Sequence, residues 1–220
     1  MSAALPPTDN APTENTLTDN TPTENTRTGN TLAGNASAEA EEAEEAEERD
    51  SGDLARDLLC RIAEDSRLTA AAQRLPASHL RRLLTRCHAE NAEALRRIVT
   101  AHGWPTAALV GEDASTAALM ILLHSDDLGF QLACRDLIAA AVVLGDCPPI
   151  HGAYVTDRCA VSMGRPQVYG TRYTPLGRPY PVIDPEGVDD RRRAVGLRTM
   201  ADEQQALREL RLRRMNRASA

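Results

Sequence analysis

The chain has 220 residues and a formal net charge of −7, and this charge is unevenly distributed. Residues 1–50 hold 12 acidic residues and two arginines, whereas the remaining 170 residues carry a net charge of +3. A nearly neutral folded part lacks the concentrated basic charge that is typical of nucleic-acid binding. The chain has no lysine, which excludes P-loop and protein-kinase phosphate sites and also Schiff-base and pyridoxal-phosphate chemistry.

The cysteines and the N-terminus favour a cytoplasmic protein. The five cysteines include no C-x-x-C pair, so neither a disulfide framework nor a zinc ribbon is indicated. The first residues lack the basic start and apolar core of a signal peptide. The longest apolar run, Ala117–Leu123, is far too short to span a membrane. We therefore expect no membrane or nucleic-acid partner.

Residues 1–50 are predicted to form a disordered, acidic, low-complexity tail. Asparagine recurs every five residues from Asn10 to Asn35, and these repeats have almost no apolar side chains with which to form a core. Residues 38–49 alternate alanine with pairs of glutamate, which is compatible with a solvated helix or with a charged linker.

Residues 51–220 are predicted to form a single, mainly α-helical domain. Helical periodicity predicts helices near residues 53–64, 68–73, 78–101, 114–124, 128–144 and 149–163, with short ones at 186–195 and 200–215. Gly103 and Pro105 should end the helix over 78–101. The segment 114–124 is apolar on nearly all sides, so we expect it to be central and buried.

The periodicity changes after the sixth helix. Residues 167–173 alternate as in a strand, and Thr174–Gly177 has the composition of a turn. Pro179 and Pro181 would confine a returning strand to an edge. We therefore predict a small β-hairpin near residues 167–183, packed on a compact helical bundle.

His124 is the first candidate catalytic residue. It ends the most apolar helix, with Asp126 two residues later, and a rigidly held histidine beside a carboxylate suits general acid–base catalysis. The alternative is a histidine that caps helix carbonyls or is satisfied in the core. His102, at the end of the preceding helix, is predicted to assist His124, although Gly103 and Pro105 alone would explain the helix stop.

Asp157 and Arg158 are candidates on the sixth helix. Since adjacent helical residues point about 100° apart, one could face inward and the other the rim. Asp157 is predicted to orient one imidazole, and Arg158 to hold an anionic group of the substrate. An ordinary salt bridge for either residue is the open alternative.

Gln167, Tyr169 and Thr171 would share one face of the predicted strand and are predicted to contact substrate. Gly170 between them permits close approach of a ligand. The alternative is a polar outer face with Val168 directed inward. The five histidines lack H-E-x-x-H or H-x-x-x-H spacing, so we predict no metal site and no cofactor; a zinc site would need residues from distant segments.

As a set, these motifs resemble a bacterial domain-of-unknown-function family, number 6624, that is common in actinobacteria. The resemblance covers residues 102–197 and rests on motifs that this chain retains, namely His102–Pro105, Val110–Gly111, His124 with Asp126, Phe130–Gln131, Ala153–Tyr154, Asp157–Arg158, Gly164–Gln167, Tyr169–Thr171, Asp184–Pro185, Arg191–Arg192 and Gly196–Leu197. The resemblance implies that the candidate residues form one constellation. It does not assign a reaction to them.

Two positions depart from the family pattern. Leu123 and Arg172 stand where the family usually has glutamine. If those glutamines bind substrate, this member would use a different ligand or be inactive.

Two functions remain open from the sequence. The first is a cytoplasmic, metal-independent acid–base enzyme of hydrolase or lyase type, in secondary metabolism, acting on a small-molecule or peptide substrate. His124, His102 and Asp157 would be its catalytic residues, and Arg158, Gln167, Tyr169 and Thr171 would bind substrate. The second is a non-catalytic ligand-binding or protein-interaction module with the polar row as its recognition surface.

Overall fold

The computed structural model describes residues 29–74 and 78–218. Contacts divide the chain into two units, residues 1–44 and residues 45–220, and the candidate residues all belong to the second unit. In the described ranges the chain forms eight helices, with the bounds α1 Gly29–Arg74, α2 Ser78–His102, α3 Ala107–Val110, α4 Glu112–His124, α5 Leu128–Leu144, α6 Pro149–Ser162, α7 Val188–Ala194 and α8 Met200–Ala218. The prediction of a mainly helical protein is confirmed.

Helix α4 lies at the centre of the core, as its composition predicts. Ala118 and Leu122 are completely buried, and the helix packs against α2, α3 and α6. Helix α5 packs against α6. Because α4 is apolar on several sides, it can contact three helices at once, and its C-terminal residue His124 is therefore held at a well-packed position.

The helix ends are formed by the residue types that usually end or cap a helix. Helix α2 ends at His102, and Gly103 then adopts a left-handed conformation with φ of 77°. Trp104 and Pro105 follow and are buried. Asp127 caps α5 by accepting a hydrogen bond from the backbone amide of Phe130 at 2.9 Å.

The first helix is longer than the sequence predicts. The two predicted helices over 53–64 and 68–73 are one continuous helix, α1, which already begins at Gly29. Part of the predicted disordered tail, residues 29–50, thus lies within α1, in agreement with the helical alternative for 38–49. Residues 1–28 lie outside the described residues, and disorder there remains a prediction.

The predicted β-hairpin near residues 167–183 is wrong. In the described part of the chain this segment has no strand, only isolated bridges that pair Gln167 with Val182 and Tyr173 with Pro179. Pro179 and Pro181 have no amide hydrogen to donate to a ladder. The amides of 168, 169 and 171 are also unavailable, because all three bind the Asp157 carboxylate. We call residues 167–183 the 167–183 loop.

None of the helices that the structure describes combines the length and apolar character needed to cross a membrane.

Candidate functional site

Three polar side chains from distant parts of the sequence meet where α1, α2 and α4 pack together. Asp65 lies on α1, His88 on α2 and His124 at the end of α4. The Nδ1 atom of His124 is 2.8 Å from Oδ2 of Asp65, and Nε2 of His88 is 3.3 Å from the same oxygen. The two imidazole rings are stacked, with centroids 4.8 Å apart and planes at 26°. We call these residues the Asp65–His88–His124 cluster.

Asp65 is a carboxylate in an otherwise apolar stripe of α1. Leu58, Ile62, Asp65 and Leu68 follow each other at helical spacing, and Leu58 and Leu68 are buried in the core. The residue is only 1% exposed, so its side chain must find partners inside the protein. Sequence analysis missed Asp65 and His88. A charged residue that interrupts an apolar stripe is the signal that could have found Asp65.

The two oxygens of Asp65 have different partners. Oδ1 accepts a hydrogen bond from the Thr69 hydroxyl at 3.2 Å, one turn further along α1. Oδ2 accepts the hydrogen bond of His124, in which the imidazole is the donor because an ionised carboxylate only accepts. No arginine forms an ion pair with Asp65 among the described residues. Within the described chain, Thr69 and the two histidines are therefore the polar side chains that contact Asp65.

The two histidines differ in how their remaining nitrogens are satisfied. The side chain of His124 is about one third exposed, and its Nε2 atom has no partner among the described residues. Nε2 of His88 is buried and, despite its distance of 3.3 Å from Asp65, makes no well-aligned hydrogen bond within the described chain. The cluster thus presents one free imidazole nitrogen towards solvent and one unsatisfied nitrogen inside.

A cleft of about 240 Å³ lies beside the cluster. His88 lines it, together with Glu93, Arg96, Asp126 and Asp127. Arg96 binds Asp127 at 2.8 Å and stacks on Phe130. The amide of Phe130, followed by Arg96, holds the pKa of the Asp127 carboxyl below its usual value. The walls contain more carboxylates than arginines, and alanines of α2 also line the cleft.

Arg158 lies at the same corner, next to the end of α4. Its Nη2 atom donates to the backbone carbonyl of Ser125 at 3.1 Å and is 3.8 Å from Asp126 Oδ1. Arg158 thus contacts the residue that directly follows His124. Whether Arg158 holds an anionic group of a ligand remains a prediction.

Asp157 has a different role from the one predicted. It is completely buried, and its carboxylate accepts hydrogen bonds from the amides of Val168, Tyr169 and Thr171 at 2.7, 3.0 and 2.8 Å. It also accepts one from the Thr171 hydroxyl at 2.9 Å. It does not orient an imidazole. Adjacent positions on α6 point in different directions, so Asp157 faces the 167–183 loop while Arg158 faces α4.

The predicted substrate-binding row is used within the protein. Gln167 is completely buried, and its side chain binds the backbone of Arg172 and the carbonyl of Tyr180. The Thr171 hydroxyl binds Asp157, and the Tyr169 carbonyl accepts from Arg192 at 2.7 Å. These contacts shape the loop. The phenol ring of Tyr169 takes no part in these contacts, and the residue is partly exposed.

His102 lies far from the cluster. It is 14 residues after His88 on the same helix, which corresponds to about 21 Å along the axis. Its side chain is near the surface, with Nε2 3.9 Å from Asp50. The structure therefore does not place His102 where it could assist His124, and Asp65 and His88 are the groups that surround His124 instead.

The two departures from the family pattern occupy different environments. Leu123 is 6% exposed and belongs to the hydrophobic core. Arg172 is partly buried, and its Nε atom is buried without a partner within the described residues. Burial, followed by the charge of Arg158, lowers the pKa of the Arg172 guanidinium. Arg172 thus brings a second positive charge near Arg158.

Comparison with known proteins identifies one family. The model of a family of unknown function, DUF6624, matches residues 53–211. The chain belongs to this family. The match confirms the resemblance seen in the motifs and extends it towards the N-terminus, so that it includes Asp65 and His88. No curated protein and no solved structure matches the chain.

Proposed function

We propose that this DUF6624 protein is an acid–base enzyme of hydrolase or lyase type, in which His124 transfers the proton and Asp65 orients it. The observation that carries the proposal is the 2.8 Å hydrogen bond between Nδ1 of His124 and Oδ2 of Asp65. The proton transfer itself needs no metal. Asp65 thus takes the orienting role that the sequence suggested for Asp157, and His102 has no part in the chemistry.

The hydrogen bond determines which nitrogen can act as the base. When Nδ1 donates its hydrogen to Asp65, the lone pair of a neutral imidazole lies on Nε2. Nε2 of His124 has no protein partner among the described residues, so a substrate proton could reach it. The buried carboxylate would then stabilise the imidazolium formed in the reaction, as in other aspartate–histidine pairs.

The surroundings supply the groups that such a site needs for binding. The 240 Å³ cleft beside His88 accommodates part of a small molecule or a peptide side chain. Arg158 is fixed to Ser125 through Nη2, whereas its Nη1 atom has no partner in the described chain. We propose that this nitrogen binds a polar or anionic group of the substrate near His124.

The alternative of a non-catalytic recognition module receives less support. It relied on Gln167, Tyr169 and Thr171 as an exposed polar row. The side chains of Gln167 and Thr171 are instead occupied by internal hydrogen bonds. A recognition surface at this row would have only Tyr169 to offer.

The proposal is tested by comparing purified wild type with His124→Gln and His102→Gln on a panel of chromogenic esters, phosphate esters and amides, with EDTA present. Loss of a positioned general base typically lowers the rate by about 10² to 10⁴. We expect this loss of rate for His124→Gln. Asp65→Asn, measured in the same way, should show a smaller loss of rate. His102→Gln is the matched control and should retain the wild-type rate. Equal rates for wild type and His124→Gln, or no turnover by the wild type, would contradict the proposal.

A further inference from the structure

We infer that Asp65, His88 and His124 also form a binding site for a divalent transition-metal ion of the zinc class. This site goes beyond the proposed proton transfer and uses two of the same residues. The ion would bind Nδ1 of His124, the atom that otherwise donates to Asp65, so the metal-bound and proton-transferring forms exclude each other. Metal occupancy would therefore inhibit the proposed enzyme reversibly.

The ligand atoms lie near one another, and binding a single ion would bring the two imidazole nitrogens from a separation of up to 4.8 Å to about 3.4 Å. One carboxylate oxygen and two imidazole nitrogens lie within 4.8 Å of one another. Tetrahedral zinc with bonds of about 2.0–2.1 Å separates its ligand atoms by roughly 3.4 Å. The distance of 3.3 Å from Asp65 Oδ2 to His88 Nε2 fits this value directly. The distance of 2.8 Å to His124 Nδ1 must widen by about half an ångström, which a small rotation of the partly exposed imidazole provides.

The unsatisfied nitrogen of His88 is an independent indication of a missing ligand. Nε2 is buried and has no hydrogen-bond partner within the described residues. Buried polar atoms in native proteins are nearly always paired, and a buried nitrogen without a protein partner can mark the position of a bound ion. An ion lying in the plane of the His88 ring, on the side of Asp65, would bind the Nε2 lone pair, which Asp65 cannot satisfy because it has no hydrogen to donate when ionised.

The charge of the cluster also favours a cation. Asp65 is 1% exposed and pairs with no arginine among the described residues. A buried carboxylate without a permanent counter-charge is costly, and a divalent ion would compensate it. Two imidazoles and one carboxylate favour zinc, cobalt, nickel or copper over magnesium or calcium, which prefer oxygen ligands. Three protein ligands would leave a fourth coordination position for water or another small ligand.

The test is a titration of the full chain with Co²⁺, followed by visible absorption and by thermal melting. We expect one cobalt ion per chain, visible bands of a nitrogen–oxygen site, and a higher melting temperature with cobalt. His88→Gln should weaken cobalt binding at least tenfold, and so should His124→Gln. The control variant combines His102→Gln with Cys60→Ser, which removes the exposed thiol. It should bind cobalt as the wild type does. Circular dichroism confirms that each variant is folded.

The outcomes separate this inference from the proposed proton transfer. His88→Gln is used only for cobalt affinity, which it should lose, whereas the proton transfer is tested separately by comparing the metal-free turnover of the wild type with that of His124→Gln. Failure of the wild type to bind cobalt, or equal affinity in wild type and His88→Gln, would overturn the metal site and leave the proton transfer standing. The opposite result would be that the wild type binds cobalt but His124→Gln turns over at the wild-type rate. That result would retain the metal site and reject the proton transfer.

Discussion

The Oδ2 atom of Asp157 accepts hydrogen bonds from both the backbone amide and the hydroxyl of Thr171, at 2.8 and 2.9 Å. With the further bonds from Val168 and Tyr169, this carboxylate ties the 167–183 loop to α6. Arg158 follows Asp157 on α6 and reaches the end of α4. The loop and the His124 corner are therefore positioned by neighbouring residues of one helix.

Replacing this carboxylate should destabilise the protein strongly. Asp157→Asn presents an amide group to several backbone donors, and we expect a loss of about 3 kcal/mol in the free energy of unfolding, since charge-assisted bonds are lost and buried amides are left unpaired. Urea unfolding measures the loss. Asp126→Asn, at a side chain that is 92% exposed, is the control and should change stability by less than about 0.5 kcal/mol. A loss as small as that of the control would show that Asp157 does not hold the loop.

Gly170 should tolerate no side chain. Its φ is +69°, and a Cβ atom there would lie 2.5 Å from Sδ of Met200. Gly170→Ala should cost about 1–2 kcal/mol from the backbone conformation, plus the cost of displacing Met200. Gly52→Ala, at a helical position with open space, should instead stabilise by about 0.5–1 kcal/mol. Thermal melts of both variants test the contrast, and equal shifts for the two would contradict it.

Burial of His151 should make the protein sensitive to acid. The side chain is buried, and burial lowers the pKa of its imidazole below the ordinary value of 6.5. As the pH falls below 6.5, the unfolded chain takes up this proton before the folded chain does, so folding becomes less favourable. Above 6.5 both states are neutral at this position and the effect vanishes. Burial of His151 should therefore lower the stability of the protein at acid pH.

Melting temperatures at pH 7.5 and pH 5.5 measure this effect. The difference between the two pH values should be smaller in His151→Gln than in the wild type, because the glutamine does not titrate. His79→Gln, at an exposed histidine, controls for a general loss of histidine charge and should behave as the wild type does. An unchanged pH dependence in His151→Gln would show that His151 does not cause the sensitivity.

The cysteines should react with thiol reagents in a definite order. Cys60 is exposed, whereas burial raises the pKa of Cys134 to about 12. At pH 8 the thiolate fraction of Cys134 is then about one in 10,000, and the buried sulfur is also shielded. In native protein Ellman's reagent should modify Cys60 first, and Cys134 only after unfolding. Mass mapping of labelled peptides checks this order, and early labelling of Cys134 would contradict it.

Several features of this protein follow from its sequence by itself. Helical periodicity predicted α2, α4, α5 and α6, because the 3.6-residue repeat is a local property of the chain. The apolar composition of α4 predicted its central position, and Gly103 with Pro105 predicted the end of α2. The motifs around His124 and Arg158 also marked one corner of the fold.

Other features were decided only by the tertiary structure. Asp65 and His124 are 59 residues apart, and their contact depends on how α1 and α4 pack, which periodicity does not specify. The same holds for Asp157. Because it faces inward, its carboxylate accepts hydrogen bonds from the amides of 168, 169 and 171, and these amides are then not available for the predicted hairpin. Sequence patterns show which side chains face inward, whereas packing between helices decides which of them meet. The partners of a buried charge are therefore known only once the helices are assembled.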